Sequence, residues 1–195
     1  PDVKTAVRDH YRKMRKYQTY EYVQRMRQKY LTYDKPLALW DAMEQLNILV
    51  DVSDPDLDLP NVQHLIQSAE AIRADNRPDW MQLVGLIHDL GKAMFLWGCD
   101  EDGTSQAEQW GMVGDVFVVG CALPDTCVYP EFNTLNPDMH DNRYNTANGV
   151  YKDHCGMDNL LLAWGHDEYL FQVLSHHKGN NIPEAGMAMI RYHSF

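Results

Sequence analysis

The stretch that decides the fold spans residues 86–92 and reads Leu-Ile-His-Asp-Leu-Gly-Lys. It lies near the end of an apolar segment, and the spacing predicts a helix over 79–96 that buries one face. His88 and Asp89 are about 100° apart around such a helix, so both can lean toward one internal site. A buried carboxylate needs a partner. A metal ion would satisfy Asp89, and so would the ammonium group of Lys92 at position i+3.

Three more histidines stand in or beside apolar segments: His64, His166 and His193. A lone buried histidine is usually a hydrogen-bonded core residue. Four histidines on four segments, two of them followed by an aspartate, instead favour a metal site between facing helices, with iron or zinc as suitable ions. The other histidines have more polar neighbours, which predicts surface positions for His10, His140, His176 and His177 and leaves His154 undecided.

The remaining pattern predicts a mainly α fold, a single-domain helical bundle over residues 1–195 with a few short strands or extended loops. The predicted helices cover 5–33, 37–50, 61–74, 79–96, 157–164, 167–177 and 183–195, and Asn61 is the predicted N-cap of the third. Residues 112–121 predict a short extended pair or a structured loop. The segments 51–58, 98–109 and 124–151 predict loops, the first with four aspartates in a spacing unlike that of an EF-hand.

The 17 basic and 28 acidic residues give a net charge of −11. This balance argues against a nucleic-acid binder, whose affinity comes mainly from neutralising phosphates. No apolar run approaches the roughly 20 residues of a membrane span. Nine basic residues, including Arg12, Lys13, Arg15 and Lys16, lie within 4–29. We interpret them as a solvated face, with a phosphate-binding arm as the minor alternative. The four cysteines lack CxxC spacing and predict reduced thiols of a cytosolic protein.

His64 with His88-Asp89 resembles the metal signature of HD domains. The wider set of motifs is more specific and resembles the myo-inositol oxygenase family, through nearly the whole chain from about Tyr11. The stretches that carry this resemblance are 51–56, 83–92, 113–115, 151–157, 163–169 and 189–195.

The resemblance implies a cytoplasmic, monomeric, nearly all-helical enzyme of the HD type. It implies that an Fe(II)/Fe(III) pair and O₂ cleave myo-inositol to D-glucuronate. His64 and His88 would bind the first iron, His166 and His193 the second, and Asp89 would bridge both. Lys92 would act beside Asp89 in catalysis. The implied substrate-binding residues are Asp51, Ser53, Lys92, Gly114, Asp115, His193 and Ser194.

The chain departs from the family pattern at several points. The family's last iron ligand is an aspartate beyond the segment that matches 189–195, and an arginine-containing substrate motif precedes the first helix. We therefore expect a chain truncated at both ends, with weak or no activity by itself. Val52 stands where the family commonly has Glu, and 100–106 resembles an insertion that we expect to be a harmless surface segment.

Two other functions stay open from the residues themselves. An HD-type phosphohydrolase would need cations to hold phosphate beside its metals, and Lys92 and Arg191 are the candidates near the motif. A non-catalytic helical scaffold would use the histidines as core residues and the basic first helix to bind a partner. Iron analysis would separate the scaffold from the oxygenase.

Overall fold

The computed structural model describes residues 3–53 and 60–195, and these are mainly helical, which confirms the predicted fold class. The α-helices of the described ranges are α1 (Val3–Tyr17), α2 (Tyr20–Tyr30), α3 (Leu39–Gln45), α4 (Asn61–Ala74), α5 (Asp79–Ile87), α6 (His166–His176) and α7 (Glu184–Tyr192). Short 3-10 segments cover Leu46–Ile48, Leu90–Trp97, Asp100–Asp102, Pro130–Leu135, Pro137–His140 and Met157–Asn159. None of the helices in the described ranges combines the length and the apolar character that a membrane span requires.

The predicted helix over 5–33 is two helices, because Gln18 faces inward between them. Its side chain is fully buried; Nε2 donates to the carbonyl of Trp164 at 2.7 Å, and Oε1 accepts from the N–H of Trp164 at 2.9 Å. The Thr19 hydroxyl then caps α2 by accepting from the N–H of Tyr22. Tyr33, the last residue of the predicted helix, lies beyond the end of α2, and its side chain is exposed.

The predicted helix over 79–96 also divides, at the dipeptide His88-Asp89 that follows α5. The chain continues as the 3-10 segment Leu90–Trp97, in which side chains three residues apart lie above one another. Lys92 is thereby placed over Asp89, and its Nζ donates to Asp89 Oδ2 at 2.8 Å. The change of helix type therefore builds the ion pair next to the histidines.

Other predicted elements differ in detail. The helix predicted over 37–50 is the short α3 followed by a 3-10 turn. The helix predicted over 157–164 is wrong: after Met157–Asn159 the chain is extended, and Leu162 forms an isolated antiparallel bridge with Val118. Of the two forms expected for 112–121, the segment is mainly a structured loop. Its extended part pairs outside the segment, through this bridge and a hydrogen bond from Val119 N to Leu161 O at 2.9 Å.

Asn61 is not the N-cap of α4, because Pro60 occupies that position and the buried Asn61 amide bonds elsewhere. The expectation of a surface loop over 98–109 is also partly wrong. Asp102, Gly103, Thr104 and Gln109 are buried, since Asp102 and Thr104 hydrogen-bond with Tyr30 of α2.

Two glycines allow the close helix approaches that surround the site. A Cβ on Gly85 of α5 would lie 2.5 Å from Ile72 Cδ1 and 3.3 Å from the backbone nitrogen of Ala69 in α4. A Cβ on Gly91 would lie 1.9 Å from the carbonyl oxygen of His166, at the start of α6. Both positions need a residue without a side chain, and they bring α4 and α6 against the segment that carries His88 and Asp89.

The basic residues of α1 do not form an open cationic face. Three of them pair with carboxylates at 2.7 Å; the pairs are Arg8–Glu131, Arg12–Asp9 and Lys13–Glu108. Arg15 contradicts the interpretation as a solvated residue, because its side chain is only 1% exposed and contacts Asp115. These pairs remove most of the positive charge that a phosphate-binding arm would need. All four cysteines are free.

Candidate metal centre

Four histidines and one aspartate converge from α4, the end of α5, the start of α6 and the residue after α7. The Nε2 atoms of His64 and His88 lie 3.2 Å apart, and those of His166 and His193 lie 2.9 Å apart. Asp89 stands between the two pairs, with Oδ1 3.0 Å from His166 Nε2 and Oδ2 3.8 Å from His64 Nε2. Each pair forms with Asp89 a group of three ligand atoms close enough together to hold a metal ion.

The ring orientations leave the Nε2 atoms of His166 and His193 facing one another. Nδ1 of His166 hydrogen-bonds with Met112 O at 2.8 Å, and Nδ1 of His193 with Ile190 O at 2.9 Å. A carbonyl only accepts, so Nδ1 carries a proton in both rings and Nε2 is the atom left to face Asp89 and a metal ion. The two Nε2 atoms are 2.9 Å apart, a distance that one ion can bridge.

This arrangement fits metal ions. Two nitrogen ligands about 2.1 Å from one ion and at right angles lie roughly 3 Å apart. His88 repeats the pattern of the other pair, since its Nδ1 is 2.9 Å from Gly85 O and its Nε2 faces His64. Burial lowers the pKa of His88, which favours the neutral form that binds metals. The donor set therefore suits two ions that share Asp89, with nitrogen and oxygen ligands of the kind that iron accepts.

Asp89 is buried and ionised. Burial opposes its charge, but Lys92 and the His166 and His193 imidazoles outweigh this and hold the pKa of the carboxyl well below its usual range. Burial likewise favours a neutral Lys92, but Asp89 and Asp51 outweigh it and raise the pKa of the amine to about 12. The two partners considered for Asp89 are compatible, because Lys92 contacts Oδ2 while Oδ1 faces the second pair of histidines.

Lys92 links several of the predicted substrate-binding residues. Its Nζ is 2.8 Å from Asp51 Oδ2, 2.8 Å from Asp89 Oδ2 and 3.1 Å from Asn61 Oδ1, which uses all three ammonium donors. Asp51 Oδ1 accepts from the N–H and the hydroxyl of Ser53 at 2.8 and 2.6 Å. Residues 54–59 lie outside the described residues, so for them the predicted loop stays a prediction.

The contacts around Lys92 form one wall of the site, and the segment 112–116 forms the second wall. Its start orients His166 through Met112 O, and its end donates from Val116 N to Ser194 O at 2.7 Å, beside His193. Gly114 has a φ of +112°, which glycine adopts without strain. The two predicted substrate-binding residues Gly114 and Ser194 are thereby tied to the metal-ligand candidates.

Asp115 lies in the same wall, and its side chain is 20% exposed. Burial, together with the carboxylates of Asp115 and Asp51, raises the pKa of the Tyr11 phenol to about 12, so both carboxylates act on one hydroxyl group of α1. Since Asp51 contacts Lys92, the two walls of the site meet around Tyr11.

The other histidines and the second His-Asp dipeptide do not join the cluster. His140, His154, His176 and His177 are exposed, which confirms the surface positions predicted for three of them. The prediction for His10 is wrong: it is buried because α1 packs on 112–116, and its Nε2 is 3.0 Å from Val113 O. Asp167 is buried beside His166, yet its Oδ1 accepts from the N–H of Glu168 and it belongs to neither group of ligands.

Three supporting residues were not identified as such from the sequence: Asn61, Arg15 and Glu168. Asn61 Nδ2 donates to Leu49 O at 2.7 Å, which turns its Oδ1 toward Lys92. Glu168 is 3% exposed and joins α6 to α7 by accepting from Arg191 Nε at 2.8 Å. In each case the available sequence signal was a polar residue at a position that helical periodicity places in the interior.

Comparison with known proteins gives one family and several relatives. A family model for myo-inositol oxygenase matches residues 4–195. Inositol oxygenase 4 of Arabidopsis thaliana is 45% identical over 192 residues, the probable inositol oxygenase of Oryza sativa subsp. japonica 44% over 194, and the inositol oxygenase of Mus musculus 44% over 188. The alignments cover 97, 98 and 95% of this chain but 59, 61 and 63% of these relatives. The chain thus spans about three fifths of the length of the curated relatives it matches.

Proposed function

Because the chain belongs to the myo-inositol oxygenase family, we propose that the protein containing it cleaves the ring of myo-inositol with O₂ to give D-glucuronate. The observation that supports this most directly is the position of Asp89 between the pairs His64–His88 and His166–His193. The overall reaction balances as myo-inositol plus O₂ giving glucuronate, one water and one proton. One carbon–carbon bond breaks, one oxygen atom of O₂ enters the product, and the other leaves as water.

The proposed cofactor is a pair of iron ions in the Fe(II)/Fe(III) state. His64 and His88 would hold one ion, His166 and His193 would hold the other, and both groups would include Asp89. When bound, the pair supplies the redox chemistry for O₂ and acidifies an alcohol that coordinates it. The absence of cysteine from the described cluster agrees with a preference for nitrogen and oxygen donors.

Lys92 acts as a fixed cation beside the reacting hydroxyls. A pKa of about 12 keeps it charged at neutral pH, so it donates hydrogen bonds and stabilises negative charge on a substrate oxygen. All three of its donors are used in this structure, so a substrate oxygen has to replace Asp51, Asp89 or Asn61 at Nζ. Asp51 is the partner that inositol would displace, since Asp89 is committed to the histidines.

The carboxylates and the backbone of the second wall bind the rest of the ring. Asp51 and Asp115 accept hydrogen bonds from inositol hydroxyls, and Ser53 and Ser194 add hydroxyl groups at the two ends of the site. Gly114 has no side chain, so Met14 and His10 of α1 pack closely against this wall and hold it beside the ring. The His166 and His193 rings, anchored through Nδ1, keep the ligand atoms in place during this exchange.

The two cations considered for a phosphohydrolase, Lys92 and Arg191, are both paired with carboxylates. Lys92 is engaged by two carboxylates, and Arg191 is 8% exposed and paired with Glu168 at 2.8 Å. A phosphate would therefore have to compete with carboxylates that already hold both cations. The geometry of the described residues therefore favours a polyol over a phosphate ester.

The test is turnover by the full-length protein loaded with iron without oxygen. After addition of myo-inositol and O₂, we expect equal amounts of inositol lost, O₂ consumed and glucuronate formed, measured by an oxygen electrode and mass spectrometry. His166→Ala should be inactive, and the exposed His140→Ala should equal the parent. An iron-loaded parent that leaves inositol intact would overturn the proposal, and phosphate release from nucleotides would support the alternative.

A further inference from the structure

Arg15 is a buried cation that the proposed reaction leaves unexplained. Its guanidinium lies 4.3 Å from the centre of the Phe117 ring, and Nη2 donates to Val128 O at 2.7 Å and to Asp115 Oδ2 at 3.2 Å. Within the part of the chain that the structure describes, Nε and Nη1 have no hydrogen-bond partner. In the same described ranges, Asp115 is the carboxylate that pairs with the Arg15 guanidinium.

Burial of a guanidinium is unfavourable unless a nearby anion compensates it. The arginine therefore depends on Asp115, and Asp115 is held by it in return. Asp115 Oδ2 receives two donors, Arg15 Nη2 and the N–H of Val128, each at 3.2 Å. Oδ1 accepts no hydrogen bond from any described residue, so one oxygen is anchored while the other stays open to a ligand.

The backbone on either side of Asp115 is already fixed. His10 bonds to Val113 O, Val116 N donates to Ser194 O, and Gly114 packs against Met14. The remaining freedom lies in the Asp115 side chain, and Arg15 restricts it. The guanidinium contacts Oδ2 through Nη2 alone, and Val128 O and the Phe117 ring hold the guanidinium itself in place.

We propose that Arg15 is a positioning residue that aims the free oxygen of Asp115 at the hydroxyls of a polyol in the site. The inference rests on the proposed function, because there Asp115 is a substrate contact. Arg15 itself does not touch the substrate. It sets the affinity for a ring of hydroxyl groups through the orientation of a neighbouring carboxylate.

The experiment measures binding of myo-inositol by calorimetry to the full-length, iron-loaded protein without O₂, so that no turnover is required. Arg15→Met should weaken binding about tenfold, the size of one lost hydrogen bond to a charged group. Arg15→Lys should recover part of this loss. The control is Arg8→Met, on the same helix as Arg15. It removes an ion pair with Glu131 and should leave inositol affinity and iron content unchanged.

Measurements in the Asp115→Asn variant distinguish positioning through Asp115 from a merely structural role of Arg15. If Arg15 acts through Asp115, then Arg15→Met added to Asp115→Asn should weaken binding by less than about twofold more. A full additional loss in that background, or parental affinity in Arg15→Met, would overturn the inference and leave the proposed function standing. No inositol binding by the parent would overturn both.

If Arg15→Met does not fold, the inositol affinity of Arg15→Lys tests the inference. The lysine variant retains the buried charge, so a loss of about threefold or more would support positioning by the guanidinium group and not by its charge alone. An affinity equal to that of the parent would overturn it. Thermal unfolding of each variant shows whether the measured protein is folded.

Discussion

The Nε2 atoms of His166 and His193 face each other at 2.9 Å, while Nδ1 of each ring is bonded to a backbone carbonyl. The fold thus brings the two metal-binding nitrogen atoms together before any ion is bound. An ion that needs both nitrogen atoms at this distance binds the folded chain and not the unfolded one, so metal binding should also stabilise the folded chain. The same segments fix both rings, which leaves little rearrangement for binding.

The first prediction concerns metal content. His193→Ala removes one nitrogen from the second group of ligands and leaves His64, His88 and Asp89 in place. We expect the full-length parent to retain about two iron ions per chain after anaerobic loading and desalting, and the variant about one. The exposed His140→Ala is the matched control and should equal the parent. Two retained ions in His193→Ala would refute the assignment of this ligand.

The second prediction concerns the approach of α6 to the 3-10 segment. In Gly91→Ala the new Cβ would overlap the His166 carbonyl oxygen, 1.9 Å away, and backbone cannot move aside cheaply. We expect a loss of about 3 kcal/mol in the free energy of unfolding by urea, and reduced iron content. Gly179→Ala meets only the flexible His177 ring at 3.1 Å, so its change should stay within about 0.5 kcal/mol. Equal stability of the two variants would contradict this packing.

The third prediction concerns Glu168, which pairs with Arg27 and Arg191 and ties α6 to α7. Glu168→Gln removes the charge that both arginines share, and Arg191 is largely buried. We expect a cost of about 3–5 kcal/mol in urea unfolding. In the exposed pair Glu70–Arg73, Glu70→Gln should cost less than about 1 kcal/mol, and a similar small cost at Glu168 would refute the role of burial.

The fourth prediction concerns acid sensitivity. Burial would raise the pKa of Asp102, but hydrogen bonds from Lys29, Thr104 and Tyr30 outweigh it and lower the pKa from 3.8. A lowered carboxyl pKa contributes stability that is present above 3.8 and is lost as the pH falls through the folded-state value. Asp102→Asn should therefore be less stable than the parent at neutral pH, and this gap should shrink below pH 3.8.

Urea midpoints measured across this pH range would show the convergence. The exposed Asp125→Asn is the control and should follow the parent at every pH. A gap between the parent and Asp102→Asn that stays constant into acid would show that the carboxylate charge does not hold the segment 98–106 to α2.

The candidate site could be predicted in part because its ligands lie within local patterns. His64, His88, His166 and His193 each stand beside apolar residues, and helical periodicity is a property of neighbours in the chain. The roles of Asn61, His10 and Arg15 could not be predicted in this way. Each is decided by a partner far along the chain: Arg15 and Asp115 are 100 residues apart, and His10 and Val113 are 103 apart.

The sequence by itself thus determined a mainly helical chain, the residues able to bind metal, and the family to which the motifs belong. Only the tertiary structure decided where the helices break, at Gln18 and at His88-Asp89, and which oxygen of Asp89 faces the histidines. The physical reason is that a backbone break or a buried charge is stable only where a distant group satisfies it. Trp164 does so for Gln18, and Lys92, carried over Asp89 by a 3-10 turn, does so for the carboxylate at the centre of the site.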